Sequence, residues 1–121
     1  NDEPIIEKDN ARFRHPCCNY YVGLKAGTIA KMDGVEEVNQ MAGVLNITHM
    51  CGVGAVIEDT NALERICLRI HVVGSTAEEL ASTLVKISDT LRIISTDGED
   101  MQLEHLTYER CLSAIHNATT F

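Results

Sequence analysis

Gly74-Ser75-Thr76-Ala77-Glu78-Glu79 lies between an alternating apolar run and a helical one, where a phosphate cradle would be built. Anion binding at a helix N-terminus needs several free backbone N–H groups and the positive end of the helix dipole. A phosphate loop adds further glycines and a Lys beside Ser or Thr. Here one glycine precedes the helix, and Glu78 and Glu79 set two carboxylates against the dipole's positive end. Ser75 with Glu78, and Thr76 with Glu79, have capping-box spacing. The stretch is therefore expected to be a tight turn with a capped helix, holding no phosphate.

Other chemistry-bearing residues are grouped less tightly. His15-Pro16-Cys17-Cys18 sets either thiol beside an imidazole, the raw material of a Cys–His nucleophile, but nothing nearby orients the pair. His49 and Cys51 would share one face of a strand, as two metal ligands do. Neither they nor His15, Cys17 and Cys18 have a C-x₂₋₄-C or H-x₃₋₅-H partner, so buried cysteine and edge histidine are expected and no metal site is assigned. Cys51-Gly52-Val53-Gly54 is a lone GxG without the strand–helix context of a dinucleotide site. Asp97-Gly98-Glu99-Asp100 lacks the length and spacing of a calcium loop and reads as a solvated turn. Arg12, Arg14, Lys25 and Lys31 flank the first strand region. They could meet an anionic ligand held by another domain, simple exposure being the ordinary alternative. No catalytic or cofactor-binding residue is assigned.

These groups must be positioned by a small set of elements. Residues 1–17 are polar and contain both prolines, an incoming arm or linker; residues 18–121 form one domain. Residues 18–31 suggest a bent strand or hairpin with Gly23 and Gly27 at the bend. Asp33 caps a short helix through Gln40, with Val35, Val38 and Met41 facing the core and Gly43 ending it. Residues 44–50 form the next strand, and 51–63 a loop, or a hairpin, with an apolar centre. Residues 64–73 are the clearest strand: Ile66, Leu68, Ile70 and Val72 on one face, Cys67, Arg69, His71 and Val73 on the other. A helix from Ser75 to about Leu91 carries Ala77, Leu80, Ala81, Leu84, Val85, Ser88 and Leu91 as its core stripe. A strand at 92–96, the turn at 97–100 and a helix from about Met101 to His116, with Tyr108, Cys111, Leu112 and Ile115 as its apolar stripe, follow. The expected class is α+β: one mixed or antiparallel sheet with helices packed on one face, ferredoxin-like βαββαβ elements and a C-terminal helix.

Composition narrows the function classes. The chain has 121 residues, 45% hydrophobic, enough for one modest and largely aliphatic core since Trp is absent. Its net charge is −8, and its ten Lys and Arg are scattered, which argues against nucleic-acid and anionic-membrane surfaces. No apolar stretch approaches the roughly 20 residues of a membrane span. The acidic start has none of the basic and apolar regions of a signal peptide, and its lack of Met points to processing or excision from a longer chain. Five irregularly spaced cysteines indicate reduced thiols and a cytoplasmic location. The sequons at Asn46 and Asn117 are then chance matches.

The order of glycines and the capped helix resembles the C-terminal subdomain of ATP-grasp ligases, the L-amino acid ligase and carbamoyl-phosphate-synthase-like group. Gly27, Gly34, Gly43, Val44 and Gly54 fit that pattern, as do Gly74, Thr76, Glu78, Glu79, Leu80 and Ile93, and residues 97–105 resemble a tail seen in some members. The likeness covers about residues 19–105. Ala26 and Ala42 stand where the family often has Pro. The resemblance implies a C-terminal piece of an ATP-dependent carboxylate–amine ligase, inactive alone, that completes the substrate cleft against the N-terminal ATP-grasp core of the same polypeptide. ATP and Mg²⁺ would belong to that core, with no cofactor held in this piece. Arg12 and Arg14, where the chain would leave the core, are the implied cleft-facing residues. Two alternatives stay open. One is a free-standing regulatory domain of the ACT kind, binding amino acids at a homodimer interface. The other is an enzyme using the Cys and His groups near residue 15.

Overall fold

A computed structural model describes residues 15–59 and 65–117. Its elements run β1 (Cys17–Gly23), β2 (Gly27–Asp33), α1 (Val35–Asn39), β3 (Val44–His49), β4 (Val56–Ile57), β5 (Ile66–Val73), α2 (Ala77–Thr90), β6 (Arg92–Ser95) and α3 (Tyr108–Asn117). The class is α+β, with antiparallel strands and a C-terminal helix. Two three-stranded sheets, ordered β1-β5-β3 and β4-β2-β6, replace the single expected sheet.

The division arises where the first strand bends. β1 and β2 are consecutive but do not pair as a hairpin; β1 pairs with β5, and β2 with β4 and β6. The β1–β5 register shifts at Val22/Gly23, and Gly27 has a φ of 146°. Between the halves, Leu24 N–H donates to Arg65 O on the β5 side, while Lys25 N–H donates to Met101 O on the β6 side. Consecutive residues of an extended chain point their N–H groups to opposite edges, so the bent segment bridges the two sheets. Counted as one strand, β1–β2 lies between β6 and β5, with β3 beyond β5. That is the ferredoxin-like βαββαβ arrangement, with α1 joining β2 to β3 and α2 joining β5 to β6.

The alternation of β5 is realised over Leu68–Val73, whereas at its start Ile66 is only partly buried and Cys67 is fully buried. Leu68, Ile70 and Val72 are fully buried beneath the helices, while Arg69, His71 and Val73 are only partly covered. Cys67 is buried as well, its thiol directed at Cys51 O 3.8 Å away. α2 buries Leu80, Ala81, Leu84 and Ser88 of the expected stripe, and adds Ile87 and Thr83, whose hydroxyl donates to Glu79 O at 3.0 Å. Each fully buried aliphatic side chain of this kind contributes about 1.5–3 kcal/mol.

Three local expectations change. α1 has Gly34, not Asp33, at its N-cap, with no side-chain cap bond. Thr76 rather than Ser75 caps α2. α3 starts at Tyr108 rather than near Met101, because Met101 and Gln102 serve the sheets: Met101 N–H donates to Ile93 O, and Gln102 bridges Leu24. Among the described residues no helix is long and apolar enough to cross a membrane.

Candidate functional site

The Gly74 turn resolves into local hydrogen bonds. Gly74 N–H donates to Pro16 O at 2.9 Å. Ser75 N–H donates to the Glu79 carboxylate, and Glu79 N–H to Thr76 Oγ1 at 3.1 Å. The donors a phosphate would need are thus taken by the protein itself. The Ser75 backbone bond holds the Glu79 carboxyl below its usual range, keeping a negative charge at the helix start. Gly74 is required by space: a Cβ there would lie 2.7 Å from Leu80 N. His15 lines the depression beside this turn, with Ala42, Gly43, Ser75, Glu79 and Thr83.

A second concavity has the character of a binding site. β1 alternates, so Cys18 and Tyr20 turn toward the helices while Cys17, Asn19 and Tyr21 turn away. Cys18 and Tyr20 meet Leu84 of α2, Leu106, and Cys111, Ala114 and Ile115 of α3, forming a mainly apolar cleft of about 570 Å³. That size and lining suit a small ligand with an apolar body. At its mouth Arg110 pairs with Glu104 at 3.1 Å, both side chains exposed. Ser88 ties the walls together. Its Oγ accepts Leu106 N–H at 3.0 Å.

The cleft's thiols are placed for packing. Burial, then the neighbouring thiol groups of Cys17 and Cys111, pushes Cys18 up to about 11. Burial likewise raises Cys111 and pushes Tyr20 up to about 12. At neutral pH all three stay protonated, so Cys18 and Cys111 lack the thiolate a nucleophile requires. β1 also sends the adjacent Cys17 and Cys18 to opposite faces, which divides the nucleophile candidates read near His15.

The remaining candidates scatter. His49 is exposed at the end of β3, and Cys51 packs beside Cys67, whose thiol is raised by burial. Among the described residues, no three His, Cys, Asp or Glu side chains converge in a way that could hold a metal. Residues 97–100 form an exposed turn in which Ser95 Oγ accepts the N–H groups of Asp97 and Glu99, each at 3.2 Å. Lys25 and Lys31 are exposed, and Lys31 lies 3.9 Å from Asp33. Arg12 and Arg14 lie outside the described residues. The cleft itself was not read from the sequence. Its one trace there is the alternation of Cys17–Val22, which sets Cys18 and Tyr20 opposite the apolar stripes of two helices. Comparison with protein-family models, with curated proteins and with solved structures yields no match.

Proposed function

We propose that this chain is an accessory C-terminal subdomain of an ATP-dependent carboxylate–amine ligase of the ATP-grasp kind. It completes the substrate cleft and packs against the catalytic core of the same cytoplasmic polypeptide. The observation that carries this proposal is the placement of the glycines in the resembling pattern. Gly27, Gly34, Gly43 and Gly54 have φ values of 146°, 91°, 94° and 93°, and Gly74 has no room for a Cβ. Each stands where an L side chain would be strained or would collide, so the pattern's spacing is the spacing at which this fold needs glycine.

Under this proposal the core holds ATP and Mg²⁺ and stabilises the transferred phosphoryl group. This chain supplies shape and, through Arg12 and Arg14, cations facing the cleft. Expressing the complete reading frame around the chain and following ADP release with Mg-ATP tests it. Turnover that requires both a carboxylate and an amine is expected, and it should collapse in Gly34→Val. ATP turnover indifferent to the amine, or a frame with no glycine-rich lid before this chain, overturns the proposal.

A second function is favoured by the βαββαβ order together with the cleft beside β1: a regulatory module of the ACT kind that binds an amino acid as a homodimer. Calorimetry with the amino acids tests it, with Ala114→Trp as the blocked control because residue 114 is exposed on the cleft wall. Heat that Ala114→Trp abolishes supports this function, and no heat from a monomeric protein removes it.

A further inference from the structure

One pair of opposite charges stands on the apolar cleft between β1, α2 and α3. Arg110 Nη2 lies 3.1 Å from Glu104 Oε1, and both residues line the cleft. They are the only charged side chains among its described lining residues. Below them the walls are closed by the buried Leu84, Cys111 and Ile115. Both charges are felt inside: the Cys111 thiol, raised first by burial, is drawn down by Arg110 and pushed up by Glu104.

The side chains of this pair are exposed, and an exposed ion pair is weak, because water screens it and two long side chains lose freedom to hold it. A ligand that offers each head a new partner can part the pair at little cost. A carboxylate alone would pair with Arg110 and confront Glu104 at close range, and an amine alone would pair with Glu104 and confront Arg110. A free α-amino acid carries its ammonium and carboxylate on one carbon, so it can meet both heads together, its carboxylate on the guanidinium fork and its ammonium on Glu104. The cleft holds about 570 Å³ of mainly apolar space, which a large apolar side chain fills and a small one leaves wet. A zwitterion is also net neutral, so the chain's charge of −8 does not repel it at long range.

We infer that this cleft takes a free α-amino acid with a large apolar side chain, its head group read by Arg110 and Glu104. The inference rests on the regulatory function proposed for the cleft and adds to it the ligand class and the two residues that orient the ligand.

Calorimetry on the whole chain with L-leucine and its deletion analogues tests it. Leucine is expected to bind at least about tenfold more tightly than L-alanine, than isocaproate, which lacks the amine, and than isoamylamine, which lacks the carboxylate. Arg110→Gln and Glu104→Gln should each weaken leucine binding about tenfold or more. Arg110→Glu combined with Glu104→Arg should regain part of what Arg110→Glu alone loses, because the exchanged pair again offers one charge of each sign. All four variants should keep the thermal midpoint of the free chain within error, which separates lost recognition from misfolding. No heat with any amino acid would remove the regulatory function and this inference with it. Amino acid binding in which alanine or either analogue matches leucine, or which the single charge variants leave unchanged, would keep the regulatory function and overturn the inference.

Discussion

The Ser88 hydroxyl, buried on α2, accepts the backbone N–H of Leu106 at 3.0 Å, 18 residues further along the chain. This one bond fixes the segment that enters α3. Ser88→Ala leaves the Leu106 N–H without its partner. We expect a loss of about 1–3 kcal/mol, the penalty for unsatisfied buried polar groups, read as a lower urea midpoint with an unchanged slope. Amide exchange should speed up in α3 more than in β5.

Three glycine-to-alanine substitutions should rank by geometry. At Gly54, φ is 93° but no atom lies within 4 Å of a new Cβ, so only the left-handed conformation is strained, at about 1–2 kcal/mol. Gly74→Ala drives Cβ to 2.7 Å from Leu80 N and should cost about 2–3 kcal/mol. Gly34→Ala combines a φ of 91° with a Cβ 2.3 Å from Thr90 O, and should exceed about 3 kcal/mol. Denaturant unfolding of the three variants gives the order directly; equal losses would contradict the close approach of turn and helix.

The buried acids on the cleft wall predict a loss of stability in alkali. Cys18 ionises near 9.0 when exposed and about 11 in the fold. Between those values the unfolded chain gives up the proton that the folded chain keeps. Stability is therefore intact below pH 9 and falls as pH rises toward 11, with Tyr20 extending the fall toward about 12. Cys18→Ala should flatten the thermal midpoint over that range. In the same window the exposed Cys17 should react with a disulfide reagent well before Cys18, Cys67 and Cys111.

Asp100 predicts the acid limb. Burial alone would raise its carboxyl, but the backbone N–H of Gln102 and the His105 ring outweigh that and hold it below 3.8. The stability it adds is present above its unfolded value and lost as pH falls through the lower folded value, because the unfolded chain binds the proton first. Asp100→Asn should lower the thermal midpoint at neutral pH and lessen its decline below pH 4.

What the sequence determined by itself was local. The alternation of Ile66–Val73, the Thr76–Glu79 capping pair, the turn at Gly98 and the apolar stripes of α2 and α3 depend on neighbours within a few residues, and each is legible as spacing. Strand partners are another matter. Nothing near Gly23 says that the strand will bend, leave β5 and continue beside β6, because that depends on residues 65 and 101–103 arriving on its two edges. The same distance hid the start of α3, since Met101 and Gln102 are held by strands from elsewhere in the chain. It also hid the cleft, which exists only once Tyr20, Leu84 and Cys111 are brought together. Arg69 shows the division most plainly. Its strand and its face could be read from the pattern of β5, but that no carboxylate among the described residues pairs with it was decided by which residues β1 and β3 carry into register.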